Sequence, residues 1–163
     1  ICGCGTYIQY HQQVLFHNQL DIEFRKNVIH GIKQYQVDAM LEGKDGVYFS
    51  QDLKHPFIQK IKKRYQDIGF SVHTFSYHDD ITFDKFTVWY QSSTPIEAFK
   101  DLLKDDFQII QRDVDFLEIV PKPFSKATGI QYLIDQLGYS IEDTISLGDS
   151  MNCLLYTSDA ADD

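Results

Sequence analysis

The stretch that most limits the architecture is the run Thr144-Ile145-Ser146-Leu147 followed by Gly148-Asp149-Ser150-Met151-Asn152. A short, β-rich apolar segment leads straight into a Gly-Asp turn. A parallel strand delivers a carboxylate in this way to the crevice at its carboxyl end, where open α/β sheets bind ligands. A carboxylate held there suits a hard cation such as Mg²⁺, which takes oxygen ligands and brings in phosphate. An ordinary strand-to-loop turn uses the same Gly-Asp chemistry, so the run by itself leaves both readings open.

A second stretch upstream bears on the same question. Phe116 to Val120 is an apolar strand that ends at Pro121 and Pro123. Ser125 can cap a helix there, and Lys126 falls in its first turn. The helix macrodipole disfavours a cation at that end, so Lys126 is misplaced for stability alone. The placement makes sense if an anion docks, because helix N-termini bind phosphate. A solvated surface lysine is the alternative.

At this spacing the two stretches together resemble the haloacid dehalogenase superfamily, in particular its Cof-type sugar-phosphatase branch. The lysine that opens a helix in "EIVPKPFSKATGI" is similar to that family's third motif. "GDSMN" is similar to its acidic fourth motif, with Cys153 where the family has Asp. Phe116–Ile119 looks like the family's "FLEI" strand. The resemblance implies an α/β fold: a partial Rossmann-like core with a parallel sheet, and an inserted α+β cap domain. By this resemblance, residues 1–19 and 114–152 are expected to be core pieces and 20–113 the cap. Residues 153–163 resemble a translated sequencing-library adaptor and are expected to be a non-native tail.

The resemblance also implies the chemistry. Lys126 and Asp149 would be catalytic: Asp149 as the Mg²⁺ ligand, Lys126 as the group that neutralises the phosphoryl oxygens. Asn152 would join Lys126 in facing phosphate, and Gly148 would let the backbone approach. Cys153 removes the second acid that the family places beside the metal. The expected activity is a Mg²⁺-dependent phosphatase of small phosphorylated metabolites such as sugar phosphates, working through an aspartyl-phosphate. A phosphomutase or phosphotransferase of the same superfamily, or a non-catalytic phosphate-binding module, would share these motifs. No DxDGT nucleophile loop occurs in the 163 residues. That loop and the Ser/Thr motif are expected before Ile1, so this piece is expected to be inactive. Asp113 and Asp115 have the bare spacing, but they stand before a strand instead of after one.

Bulk properties narrow the partners. The chain carries 24 acids against 15 bases, for a formal charge of −9. It has no basic patch, which argues against nucleic acid or an anionic membrane as partner. No run of apolar residues is long enough for a membrane span. Cys2 and Cys4 are too closely spaced for a disulfide framework, and the histidines form no metal pattern, so a reducing cytoplasm is expected. The histidines read as surface or core residues.

Local signals place the elements. Thr6–Tyr10 and Val14–His17 flank a hairpin turn, and Asp21 caps a helix over Ile22–Tyr35. Gly43–Gly46 turns a second hairpin, although it is also a candidate substrate loop. His55-Pro56 opens a second helix with Pro at its first position. Lys85–Tyr90 reads as a strand, and Phe107–Gln111 and Phe116–Val120 as two more. Thr94-Pro95-Ile96-Glu97 predicts a capping box at the start of a third helix. A fourth helix runs from Ser125 to near Gly138.

Overall fold

The computed structural model describes residues 1–145 of the chain. By contact it divides into two units. The outer one takes Ile1–Asn18 and the segment from Pro123 onward, and the inner one is Gln19–Lys122. The class is mixed α/β, as expected. No described helix is long and apolar enough to cross a membrane.

The inner unit is a six-stranded sheet with helices packed on it. Its elements are α1 (Ile22–Tyr35), β3 (Asp38–Gly43), β4 (Gly46–Ser50), α2 (Pro56–Asp67), β5 (Val72–Phe75), β6 (Lys85–Trp89), α3 (Ile96–Leu103), β7 (Phe107–Asp113) and β8 (Phe116–Pro121). The strand order is β5-β4-β3-β6-β8-β7. Every neighbouring pair is antiparallel except β4 with β5. Helix α1 starts where Asp21 accepts a hydrogen bond from the Glu23 amide at 2.9 Å. Gly43 and Gly46 face each other across the turn between β3 and β4, so that loop is a tight hairpin.

Side chains of a strand alternate between two faces, and β6 shows what each face does. Phe86 and Val88 are buried with Val28, Ile29 and Ile32 of α1 and Phe99 and Leu103 of α3. Phe86 meets Phe107 edge to face, with ring centroids 5.4 Å apart. On the other face, Trp89 joins Met40, Val47, Phe49 and Ile58 of α2, and stacks on Phe116 at 4.5 Å. Beside this apolar cluster runs a charge network. The Lys85 ammonium lies 2.9 Å from Glu42 and 3.1 Å from Glu118, and Arg112 reaches Glu118 at 2.6 Å.

The outer unit begins with a short 3₁₀ turn over Gly3–Gly5 and a hairpin of β1 (Tyr7–Tyr10) and β2 (Gln13–His17). His11 and Gln12 both adopt positive φ, the conformation that a two-residue hairpin turn demands. Helix α4 (Lys126–Leu137) and a 3₁₀ turn over Ile141–Asp143 follow.

Two expectations meet a different outcome, and a third falls largely outside the described residues. The division falls at 122/123 instead of 113/114, because β8 hydrogen-bonds on both edges to inner-unit strands, β6 and β7. The described strands of the outer unit are the antiparallel β1–β2 pair, and most of the expected final strand, Thr144–Leu147, lies outside the described residues. The capping box at Thr94 does not form. The Thr94 hydroxyl instead accepts from the Gln91 amide at 3.2 Å, and Pro95 takes the cap position without a side-chain bond.

Lys85 is the shared counter-ion of two carboxylates, and its side chain is only 10% exposed. Removing one partner of a buried pair leaves the other charge uncompensated. Lys85→Ala is therefore expected to destabilise the inner unit by about 3 kcal/mol in urea unfolding. An unchanged midpoint would show that solvent, not Lys85, compensates Glu42 and Glu118.

Candidate active site

Lys126 is the one proposed site residue that falls among the described residues. It is exposed at the first position of α4. The chain arrives extended at Ser125, with φ −154° and ψ 168°. The Ser125 hydroxyl accepts from the Thr128 amide at 3.0 Å, and the Thr128 hydroxyl accepts from the Ser125 amide at 2.9 Å. This reciprocal pair satisfies two donors that the helix cannot bond internally. Gly138, at φ +71°, ends the helix.

The buried side of α4, with Ala127, Gly129 and Ile134, is held by the rest of the outer unit. Phe16 of β2 packs against Phe124 at 5.7 Å and Tyr132 at 5.3 Å between centroids. The Tyr132 hydroxyl donates to the Leu15 carbonyl at 3.1 Å. These contacts leave an apolar cleft of about 270 Å³ between the hairpin and the helix.

Asp149, Asn152, Gly148 and Cys153 lie outside the described residues, so the proposed meeting of Lys126 and Asp149 is not part of the described structure. Among the described residues no group of three or more His, Cys, Asp or Glu side chains could hold a metal ion. The Mg²⁺ assignment therefore rests on the donor chemistry of Asp149, a carboxylate oxygen ligand suited to that cation.

A haloacid dehalogenase-like hydrolase family model matches residues 1–154. The chain belongs to that family. A comparison with curated protein sequences found no match. Among solved structures, this haloacid dehalogenase-like hydrolase is similar to a protein from Eubacterium rectale. The TM-score is 0.74 at 18% identity, over 91% of this chain and 57% of that one. A HAD subclass IIB sugar phosphatase matches with a TM-score of 0.70 at 19% identity, over 91% of this chain and 56% of that one. A Thermotoga maritima protein matches with a TM-score of 0.70 at 20% identity, over 93% and 58%. At these identities the likeness is one of fold. The chain spans a little over half the length of the structures it matches.

Two features of the chain gave no sequence signal of their own. His55 pairs with Asp115, Nε2 to Oδ2 at 2.9 Å, while its Nδ1 accepts from the Phe57 amide at 3.3 Å. The His-Pro start of α2 marks the second contact, but nothing local marks a partner sixty positions away. Asp115, which has the bare spacing of a nucleophile motif, stands in the turn between β7 and β8. The packing of the Gly3–Gly5 turn against α4 was equally hidden.

Replacing an N-cap hydroxyl typically costs about 1 kcal/mol. Ser125→Ala is expected to destabilise the outer unit by about that amount and to speed amide exchange at Thr128, measured by hydrogen-exchange NMR. Unchanged exchange at Thr128 would mean that the hydroxyl pair is not what starts α4.

Proposed function

We propose that the whole enzyme is a Mg²⁺-dependent phosphatase of small phosphorylated metabolites, sugar phosphates among them, working through an aspartyl-phosphate. The observation that carries this reading is the family match across 1–154, with an exposed lysine at the capped start of α4. The sugar-phosphatase neighbour supports the substrate class.

Phosphate-monoester hydrolysis is among the slowest uncatalysed reactions, so several groups must act together. Lys126 would neutralise the phosphoryl oxygens as charge builds in the transition state. Asp149 would hold Mg²⁺, whose charge offsets that of the phosphate and of the nucleophile. Asn152 would hydrogen-bond a phosphoryl oxygen and orient the group. The inner unit would act as the cap that excludes water and selects the leaving group. The acidic balance of the chain suits a small substrate drawn in by local positive charge and not by the field of the whole protein.

The 163 residues carry no DxDGT sequence, so this chain should lack a nucleophile. It is expected not to hydrolyse p-nitrophenyl phosphate with Mg²⁺ present. Turnover that disappears in Asp149→Ala would overturn that assignment. In the whole enzyme, Lys126→Met is expected to lower kcat about 10²–10³-fold, the scale for losing one transition-state charge stabiliser. A kcat within about twofold of wild type would remove Lys126 from the mechanism.

A further inference from the structure

Helix α4 is held at its first turn by the segment before β1, and the contact is backbone against backbone. Gly5 sits at φ +94°, and a Cβ built there would lie 2.2 Å from the Ser125 carbonyl oxygen. A Cβ on Gly129 would lie 3.0 Å from Gly5 Cα and 3.0 Å from Ile1 Cγ2. A side chain at Gly5 would collide with backbone that cannot give way, and one at Gly129 would press on it. The absence of both side chains lets the Gly3–Gly5 turn seat on Ser125 and Gly129, the residues that bracket Lys126.

The turn is braced from within. Thr6 is fully buried, and its hydroxyl donates to the Gly3 carbonyl at 2.8 Å. The Gly5 amide donates to the Cys2 carbonyl at 3.0 Å, and the Asn18 amide to the Thr6 carbonyl at 2.8 Å. These bonds fix the turn's own shape and tie it to the end of the β1–β2 hairpin, so it meets α4 as a preformed unit.

The capping pair of Ser125 and Thr128 fixes the internal geometry of the helix end. It does not fix where that end sits within the outer unit. A lysine side chain is long, and the position of the backbone beneath it sets where its ammonium can reach. We propose that the Cys2–Thr6 turn is the positioning element for Lys126, with Gly5 and Gly129 as its contact residues. The proposal rests on the reading of Lys126 as a phosphate-facing group.

The test is a titration of the ¹⁵N-labelled chain with inorganic phosphate, followed at the amides of Lys126, Ala127 and Thr128. Wild type is expected to show saturable shifts there. Gly129→Ala is expected to weaken phosphate binding about tenfold, the order expected from a misplacement of under an ångström. It should do so although alanine is the better helix former and α4 keeps its helical signals. Adding Ile1→Ala to Gly129→Ala removes one of the two close contacts and is expected to restore part of the affinity. Thr6→Val deletes the bond to Gly3 without adding bulk, and is expected to weaken binding in the same direction. It decides the matter if Gly129→Ala does not fold. A purely structural role would lower the unfolding midpoint and leave the affinity of the folded variants unchanged. No phosphate-dependent shift in wild type would overturn the reading of Lys126, and this proposal with it. Binding by wild type and by the folded variants within about twofold would overturn the positioning role alone.

Discussion

Backbone pairing of β6 to β3 on one edge and β8 on the other holds the inner unit together. Every residue of β6 is buried, so each of its amides and carbonyls must find a partner in a neighbouring strand. The register of that pairing has little freedom. A slip of one residue would turn Lys85 toward the phenylalanine core and Phe86 toward Glu42 and Glu118. The charge network therefore contributes more to specificity than to net stability, since a buried ion pair roughly offsets its own desolvation. With β6 fixed, β8 is fixed, and so is the point where the chain leaves the sheet. There the Lys122 amide donates to the Asp106 carbonyl at 2.9 Å.

The features legible in the sequence were those decided within a few residues. Asp21, His55-Pro56 and Ser125 start helices through contacts with amides two or three positions away. The hairpin turns are equally local. Thr94 shows how narrowly such a reading can fail. The capping pattern predicts an amide ahead in the helix as partner of its hydroxyl, and the bond that forms is to the amide behind it, at Gln91. Sequence pattern cannot rank two such partners, because both bonds are of ordinary strength.

The strand that was placed in the wrong unit failed for a different reason. Phe116–Pro121 is apolar at nearly every position, which is how a strand buried on both faces reads in a parallel core. In the inner sheet the same pattern arises because Leu117 and Ile119 face the helices while Phe116 stacks on Trp89 and Glu118 is closed by Lys85 and Arg112. The one polar position was the clue. A glutamate in the middle of such a strand needs a cation, and its two cations come from β6 and β7. Pairing partners that distant are set by tertiary structure and leave no local mark.

The same contrast governs the candidate site. Its helix start was legible because capping is local, and its placement was not, because the seat on Gly5 joins residues more than a hundred positions apart. Two of the donors at the end of α4 are consumed by the Ser125–Thr128 pair. That leaves the end less able to attract an anion through its own amides, so under the proposed reading the charge of Lys126 would take a larger share of the task. In a chain of net charge −9, a phosphate is repelled at long range, and screening confines that repulsion to roughly 10 Å at ordinary ionic strength. Inside that distance a single ammonium decides the local sign of the field only if it stays in place. A helix end seated on a glycine turn meets that requirement more strictly than a lysine on a loop could.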